Sequence, residues 1–148
     1  MQPNTQLSKN FWLHEFLESQ TAREHHIDEQ WDPPPGVIKN LRELCEHLLQ
    51  PLRDALGAPI MISSGWRCNR LNILVGGVSN SWHLTGRAAD CDNGEDNQKI
   101  IDKVKELGLP FDQMIDEQHL DWVHLSYDAF KNRRQMLRMV DGKYEFME

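Results

Sequence analysis

Between Val37 and Leu56 the apolar positions Ile38, Leu41, Leu44, Cys45, Leu48, Leu49 and Leu52 return at three- and four-residue steps. That period puts them on one stripe of an α-helix and predicts the core helix of the fold. Pro51 lies inside the stripe and lacks a backbone donor, so a kink or a break and restart is expected there. Pro33-Pro34-Pro35-Gly36 is a stiff, extended lead-in. Gly57 stops the helix, and Ala58-Pro59 opens a strand at about Ile60–Ser63. Phe11, Leu13, Phe16 and Leu17 give an apolar face to a shorter helix from about Lys9 to Ser19, with Ser8 as its cap. A third helix, from about Glu95 to Leu107, carries the stripe Ile100, Ile101, Val104 and Leu107; Asp92 or Asn93 caps it and Gly108 ends it.

In the second half the period changes to two. Val123 and Leu125 fall on one face of a strand from Trp122 to Tyr127, His124 and Ser126 on the other. Phe111–Asp116 reads as its antiparallel partner, with Glu117–Asp121 as the turn between them. Asp141-Gly142 is a hairpin signal between strands at Met136–Val140 and Tyr144–Met147. Asn69–Asn80 is polar and glycine-bearing; no element is predicted there, only one wall of a cleft. Its Gly76-Gly77 lacks the rest of a phosphate-binding pattern. The chain carries no internal repeat or low-complexity stretch. These elements predict an α+β fold, one domain over residues 1–148, with a small antiparallel sheet and helices packed on one face.

Composition narrows the function classes. At 148 residues with 39% apolar content the chain can bury a proper core. A net charge of -7 argues against a nucleic-acid partner and gives no electrostatic pull toward anionic wall polymers. No apolar run approaches the roughly 20 residues of a membrane span. The start, Met1 to Gln6, lacks the pattern of a signal peptide, so a cytoplasmic protein that acts only after release is expected. Three cysteines, Cys45, Cys68 and Cys91, read as buried thiols, with a Cys68–Cys91 bridge as the lesser alternative. His25-His26 read as solvated or capping residues, and His47 as solvated.

The chemistry gathers in Ser81–Asp90. His83 and Asp90 can both ligate zinc at about 2.0–2.2 Å. A straight helix would part them by about 10.5 Å and an extended strand by roughly 23 Å, so the chain must bend between them. Gly86 is the natural pivot, with Asp90 then delivered on a strand past the small Ala88 and Ala89. His124 is the best third ligand, with His119 as its rival. Three protein ligands and one open position make a catalytic zinc arrangement. Asp121, three residues before His124, is placed to take a water's proton if it sits in the turn or at a bulge.

Ser-x-His-x-x-x-Gly-x-Ala-x-Asp, followed by Asp-x-x-His in a strand, resembles the zinc D-alanyl-D-alanine metallopeptidases, a family of D,D-carboxypeptidases, D,D-dipeptidases and phage L-alanyl-D-glutamate endopeptidases. Ser63-Ser64-Gly65-Trp66-Arg67 resembles that family's Ser-Gly-aromatic-Arg segment. The resemblance runs from about Phe11 to about Tyr127 and leaves 128–148 as a C-terminal hairpin extension. It implies one Zn2+ per chain on His83, Asp90 and His124, Asp121 as general base, Arg67 as the cation for substrate or transition state, and Ser81 as a substrate contact. Trp66, Trp82 and Trp122 adjoin these residues, as cleft wall or as core filler. The implied reaction is hydrolysis of peptidoglycan stem peptides by a monomer, D,D-carboxypeptidase-like. The alternatives are a phage-type L-alanyl-D-glutamate endopeptidase (an endolysin) and, in another class, a non-catalytic zinc-stabilised binding domain.

Overall fold

The computed structural model describes residues 2–117 and 121–147; His119, the rival third ligand, lies outside them. The chain opens with a two-stranded antiparallel ribbon, β1 (Gln6–Ser8) and β2 (Phe11–Trp12). The helix expected over Lys9–Ser19 is therefore cut down to α1 (Leu13–Leu17), and α2 (Gln20–Glu24) follows. The apolar stripe was the sound part of that expectation, since Phe11, Leu13, Phe16 and Leu17 are all buried. Ser8 caps nothing: its hydroxyl donates to Gln50 Oε1 at 2.7 Å. Ser19 is the capping residue, accepting the Ala22 N–H at the start of α2.

The core helix runs without a gap as α3 (Pro35–Leu44), a π-helical turn (Cys45–Leu49) and α4 (Gln50–Leu56). Pro51 sits in the first turn of α4, where its missing N–H and bulky ring would disturb a regular ladder. The widened turn just before it absorbs the mismatch, so the predicted kink takes the form of a π-bulge. Gly57 ends the helix in the left-handed region at φ 65°.

β3 (Met61–Ser64) follows, then α5 (Asn69–Leu74) in the segment where no element was predicted. The remaining elements are β4 (Ala88–Asp92), α6 (Asn97–Leu107), β5 (Gln113–Glu117), β6 (Trp122–Ser126), β7 (Gln135–Val140) and β8 (Lys143–Phe146). Asp96, rather than Asp92 or Asn93, caps α6 by accepting the Gln98 N–H. The six strands from β3 on form one sheet in the order β3-β4-β6-β5-β7-β8. Each neighbouring pair is antiparallel except β5 with β7, which is parallel. The expected C-terminal hairpin is present, and it extends the sheet through that parallel pairing.

Register assigns the faces. Asp90 lies opposite His124, Cys91 opposite Val123, and Ala89 opposite Leu125. Ala89, Cys91, Val123, Leu125 and Met114 enter the core with Ile100, Ile101 and Val104 of α6. Burying each large aliphatic side chain there contributes about 1.5–3 kcal/mol. Alternation turns Asp90, His124, Ile115 and Glu117 to the other face, where a cleft lies. Cys45, Cys68 and Cys91 are all free and buried, which removes the bridge alternative. Among the described residues no helix is long and apolar enough to cross a membrane.

Candidate metal centre

His83 stands on a short 3-10 turn, Trp82–Thr85, whose first N–H groups are served by the Ser81 hydroxyl, which accepts from the His83 amide at 3.2 Å. Gly86 follows in the left-handed region at φ 77°, and a Cβ there would come within 2.7 Å of the Val37 carbonyl oxygen. Only glycine lets the chain turn so close to α3 and re-enter the sheet as β4. The predicted pivot is thus in place, and the bend brings Asp90 back to His83.

His83 Nε2 lies 3.4 Å from Asp90 Oδ1, and His124 Nδ1 lies 3.1 Å from the same oxygen. Ligating atoms of all three residues fall within 4.8 Å of one another. In a tetrahedral zinc site with bonds of about 2.0–2.2 Å the ligand atoms stand roughly 3.3–3.6 Å apart. The spacing therefore fits an ion shared by the three. Among the described residues no fourth His, Cys, Asp or Glu joins the group. His83 Nδ1 donates to the Gly65 carbonyl oxygen at 2.7 Å, which leaves Nε2 as the electron-pair donor facing Asp90.

The protonation states also suit a metal. Burial holds the His83 imidazole below its ordinary pKa, so it favours the neutral form. Burial pushes Asp90 upward, but the adjacent His124 and His83 imidazoles outweigh it and keep the carboxyl well below the usual range. A carboxylate with two imidazoles is the donor set a divalent ion needs. These three residues can hold one.

The loop carrying Gly65 and Arg67 is fixed by a residue that the sequence did not single out. Gln30 is fully buried; its Nε2 donates to the carbonyls of Leu17 (2.9 Å) and Trp66 (2.8 Å), and its Oε1 accepts from the Cys68 amide (2.9 Å). Arg67 then projects into the cleft, its Nε donating to Ser64 Oγ at 3.2 Å and its Nη1 to Asn72 Oδ1 at 2.8 Å. Among the described residues it has no carboxylate in salt-bridge contact. Gly77 passes so near that a Cβ would meet Arg67 Nη1 at 2.6 Å, which accounts for a glycine in that loop without any phosphate.

The cleft has a volume of about 910 Å³ and is lined by Arg67, Ser81, His83, Asp90 and His124 together with Trp66, Trp82 and Trp122. Trp66 is nevertheless a core residue, buried and donating its indole N–H to the Leu84 carbonyl at 3.0 Å. Trp82 lies under the Arg87 guanidinium at 4.0 Å. Asp121 stands apart: it is exposed, in the left-handed region at φ 61°, and is not among the residues lining the cleft. Glu117 and Tyr144, which no pattern along the chain singles out, do line it.

The profile of the family described as Peptidase M15 matches residues 9–126. No curated protein matches the chain. The matched span contains His83, Asp90 and His124, the loop that holds Arg67, and the strands that bring them together, and on that footing the chain belongs to the peptidase M15 family.

Proposed function

We propose that this peptidase is zinc-dependent and hydrolyses stem peptides of peptidoglycan in the manner of a D-Ala-D-Ala carboxypeptidase. The observation that carries the reading is a convergent His83–Asp90–His124 group opening into the same cleft as a half-buried arginine with no carboxylate in salt-bridge contact among the described residues. His83, Asp90 and His124 would hold the ion. When bound, zinc supplies Lewis acidity that polarises the scissile carbonyl and makes water an effective nucleophile near neutral pH.

The rest falls to the chain itself. The Arg67 fork suits a carboxylate bidentately, so it anchors a terminal D-alanine carboxylate or the oxyanion. Trp82 and Trp122 flank the peptide, and Ser81 offers a polar contact. A carboxylate takes the proton from the attacking water. One feature favours the endopeptidase alternative: the cleft lining extends to Glu18, Ser19, Gln20 and Thr21, which leaves room for a chain that continues past the scissile bond.

Digestion of purified muropeptides followed by mass spectrometry tests both. Loss of one alanine is expected for the carboxypeptidase, and cleavage next to the muramic acid–linked L-alanine for the endopeptidase. Purified protein should carry about one zinc per chain, and His83→Ala should abolish it. Bound zinc with no cleavage of any wall substrate would leave a zinc-stabilised binding domain.

A further inference from the structure

Glu117 is the last residue of β5 and is 7% exposed. Ile115 pairs with His124 across β5 and β6, and Glu117 pairs with Trp122. Glu117 is therefore on the same face as His124, as its diagonal neighbour across the antiparallel pair. Such neighbours are about 7–8 Å apart at the backbone, within reach of a long side chain. Glu117 lines the cleft with the three metal-ligating residues. The Tyr144 hydroxyl donates to Glu117 Oε1 at 2.9 Å. Among the described residues no Lys, Arg or His forms a salt bridge with it. The Glu117 carboxyl and the His83–Asp90–His124 group therefore share one face of the sheet and one cleft. Asp121, by contrast, is exposed and is not among the residues lining the cleft.

We propose that Glu117, not Asp121, is the general base of this peptidase, with Tyr144 as the residue that positions it. The proposal rests on the hydrolase reading above. The oxygen of water bonds to the scissile carbonyl carbon while one of its protons passes to the Glu117 carboxylate. The carbon–nitrogen bond then breaks, and that proton moves from Glu117 to the departing amine nitrogen. The products are a new carboxyl group and an amine, and Glu117 returns as carboxylate. Tyr144 fixes one Glu117 oxygen and leaves the other for the water.

The test compares wild-type protein with Glu117→Gln, Glu117→Asp, Asp121→Asn and Tyr144→Phe. Zinc affinity by chelator competition, melting temperature, and kcat and KM on a muropeptide are read for each. Glu117→Gln should keep one zinc and an unchanged melting temperature and KM while kcat falls at least 100-fold, the usual scale of a lost base. Glu117→Asp should recover part of that kcat. Tyr144→Phe should lower kcat about three- to tenfold with KM unchanged, and Asp121→Asn should lose less than tenfold. Turnover by Glu117→Gln within fivefold of wild type would overturn the proposal. So would a 100-fold loss in zinc-loaded Asp121→Asn, or loss of zinc or fold in both Glu117 variants, which would make Glu117 structural. Wild-type protein that binds zinc yet cuts no wall peptide would instead sink the hydrolase reading, and the base assignment with it.

Discussion

Arg67 reaches the cleft from the loop after β3, and Arg133 reaches it from the segment before β7. The Arg133 guanidinium grips Asp112 through both carboxylate oxygens at 2.7–3.2 Å, and its own amide donates to Asp112 as well. Asp112 is only 2% exposed, so that arginine is occupied in satisfying a buried charge. Arg67 is held instead by a hydroxyl and an amide, neutral groups that orient the fork without neutralising it. Burial draws its pKa down, with the Asp90 charge opposing, and a guanidinium stays protonated regardless. Two arginines in one cleft thus differ in what they can offer a ligand. A cation steadied by uncharged partners remains available; one already paired stabilises the fold.

The widest gap should appear on replacing each by alanine. Arg67→Ala should cut kcat/KM by about 100- to 1,000-fold, the usual loss for a transition-state or carboxylate contact. Arg67→Lys should regain little of it, because an ammonium lacks the two-pronged geometry. An equal loss of kcat/KM in Arg133→Ala would erase the distinction. That change should lower stability instead, by about 1–3 kcal/mol in urea titration, since Asp112 loses its charged donor, while kcat/KM stays within tenfold. Asn72→Ala removes one neutral support of Arg67, and a drop of about tenfold in kcat/KM would sharpen the contrast.

The smallest effect concerns a third arginine. Arg87 pairs with Asp128 at 3.0 Å and stacks on Trp82, which makes it structural like Arg133. Burial raises the Asp128 pKa, but the amides of Phe130 and Lys131 and the Arg87 guanidinium lower it more. The folded-state value lies below the unfolded value of about 3.9. The pair's contribution is therefore present above that pH and is lost as pH falls through the folded-state value. Asp128→Asn should flatten the fall of the urea midpoint below about pH 4, with activity at neutral pH little changed.

Much of this arrangement was legible along the chain because local chemistry dictated it. The three- and four-residue recurrence from Ile38 to Leu52 needs no distant partner to signal a helix, and every one of Leu41, Leu44, Leu48, Leu49 and Leu52 is fully buried. A histidine and an aspartate around Gly86 imply a bend by geometry alone. What escaped notice depends on partners far away in sequence. Gln30 looks like an ordinary polar residue until Leu17, Trp66 and Cys68 converge on it. Glu117 reads as a turn residue because the apolar run of β5 ends at Asp116, whereas the strand extends one residue further. β5 is buried almost throughout, and alternation cannot say which side of such a strand faces a cleft. The ribbon at the N-terminus reads as the start of a helix because Phe11 and Leu13 fit both patterns, and a two-residue strand is too short to declare its period.

The parallel pairing of β7 on β5 has a practical bearing on where this protein can be shortened. The family profile stops at Ser126, before either strand of the terminal hairpin. A chain trimmed to that boundary would leave the β5 edge bare, an open template for aggregation. It would also strip the Arg138 guanidinium from Asp116, which is 1% exposed and bound to it at 2.9 Å, stranding a negative charge in the interior. The span that the family shares and the span that the sheet needs are different lengths of polypeptide, and the last twenty or so residues belong to the second.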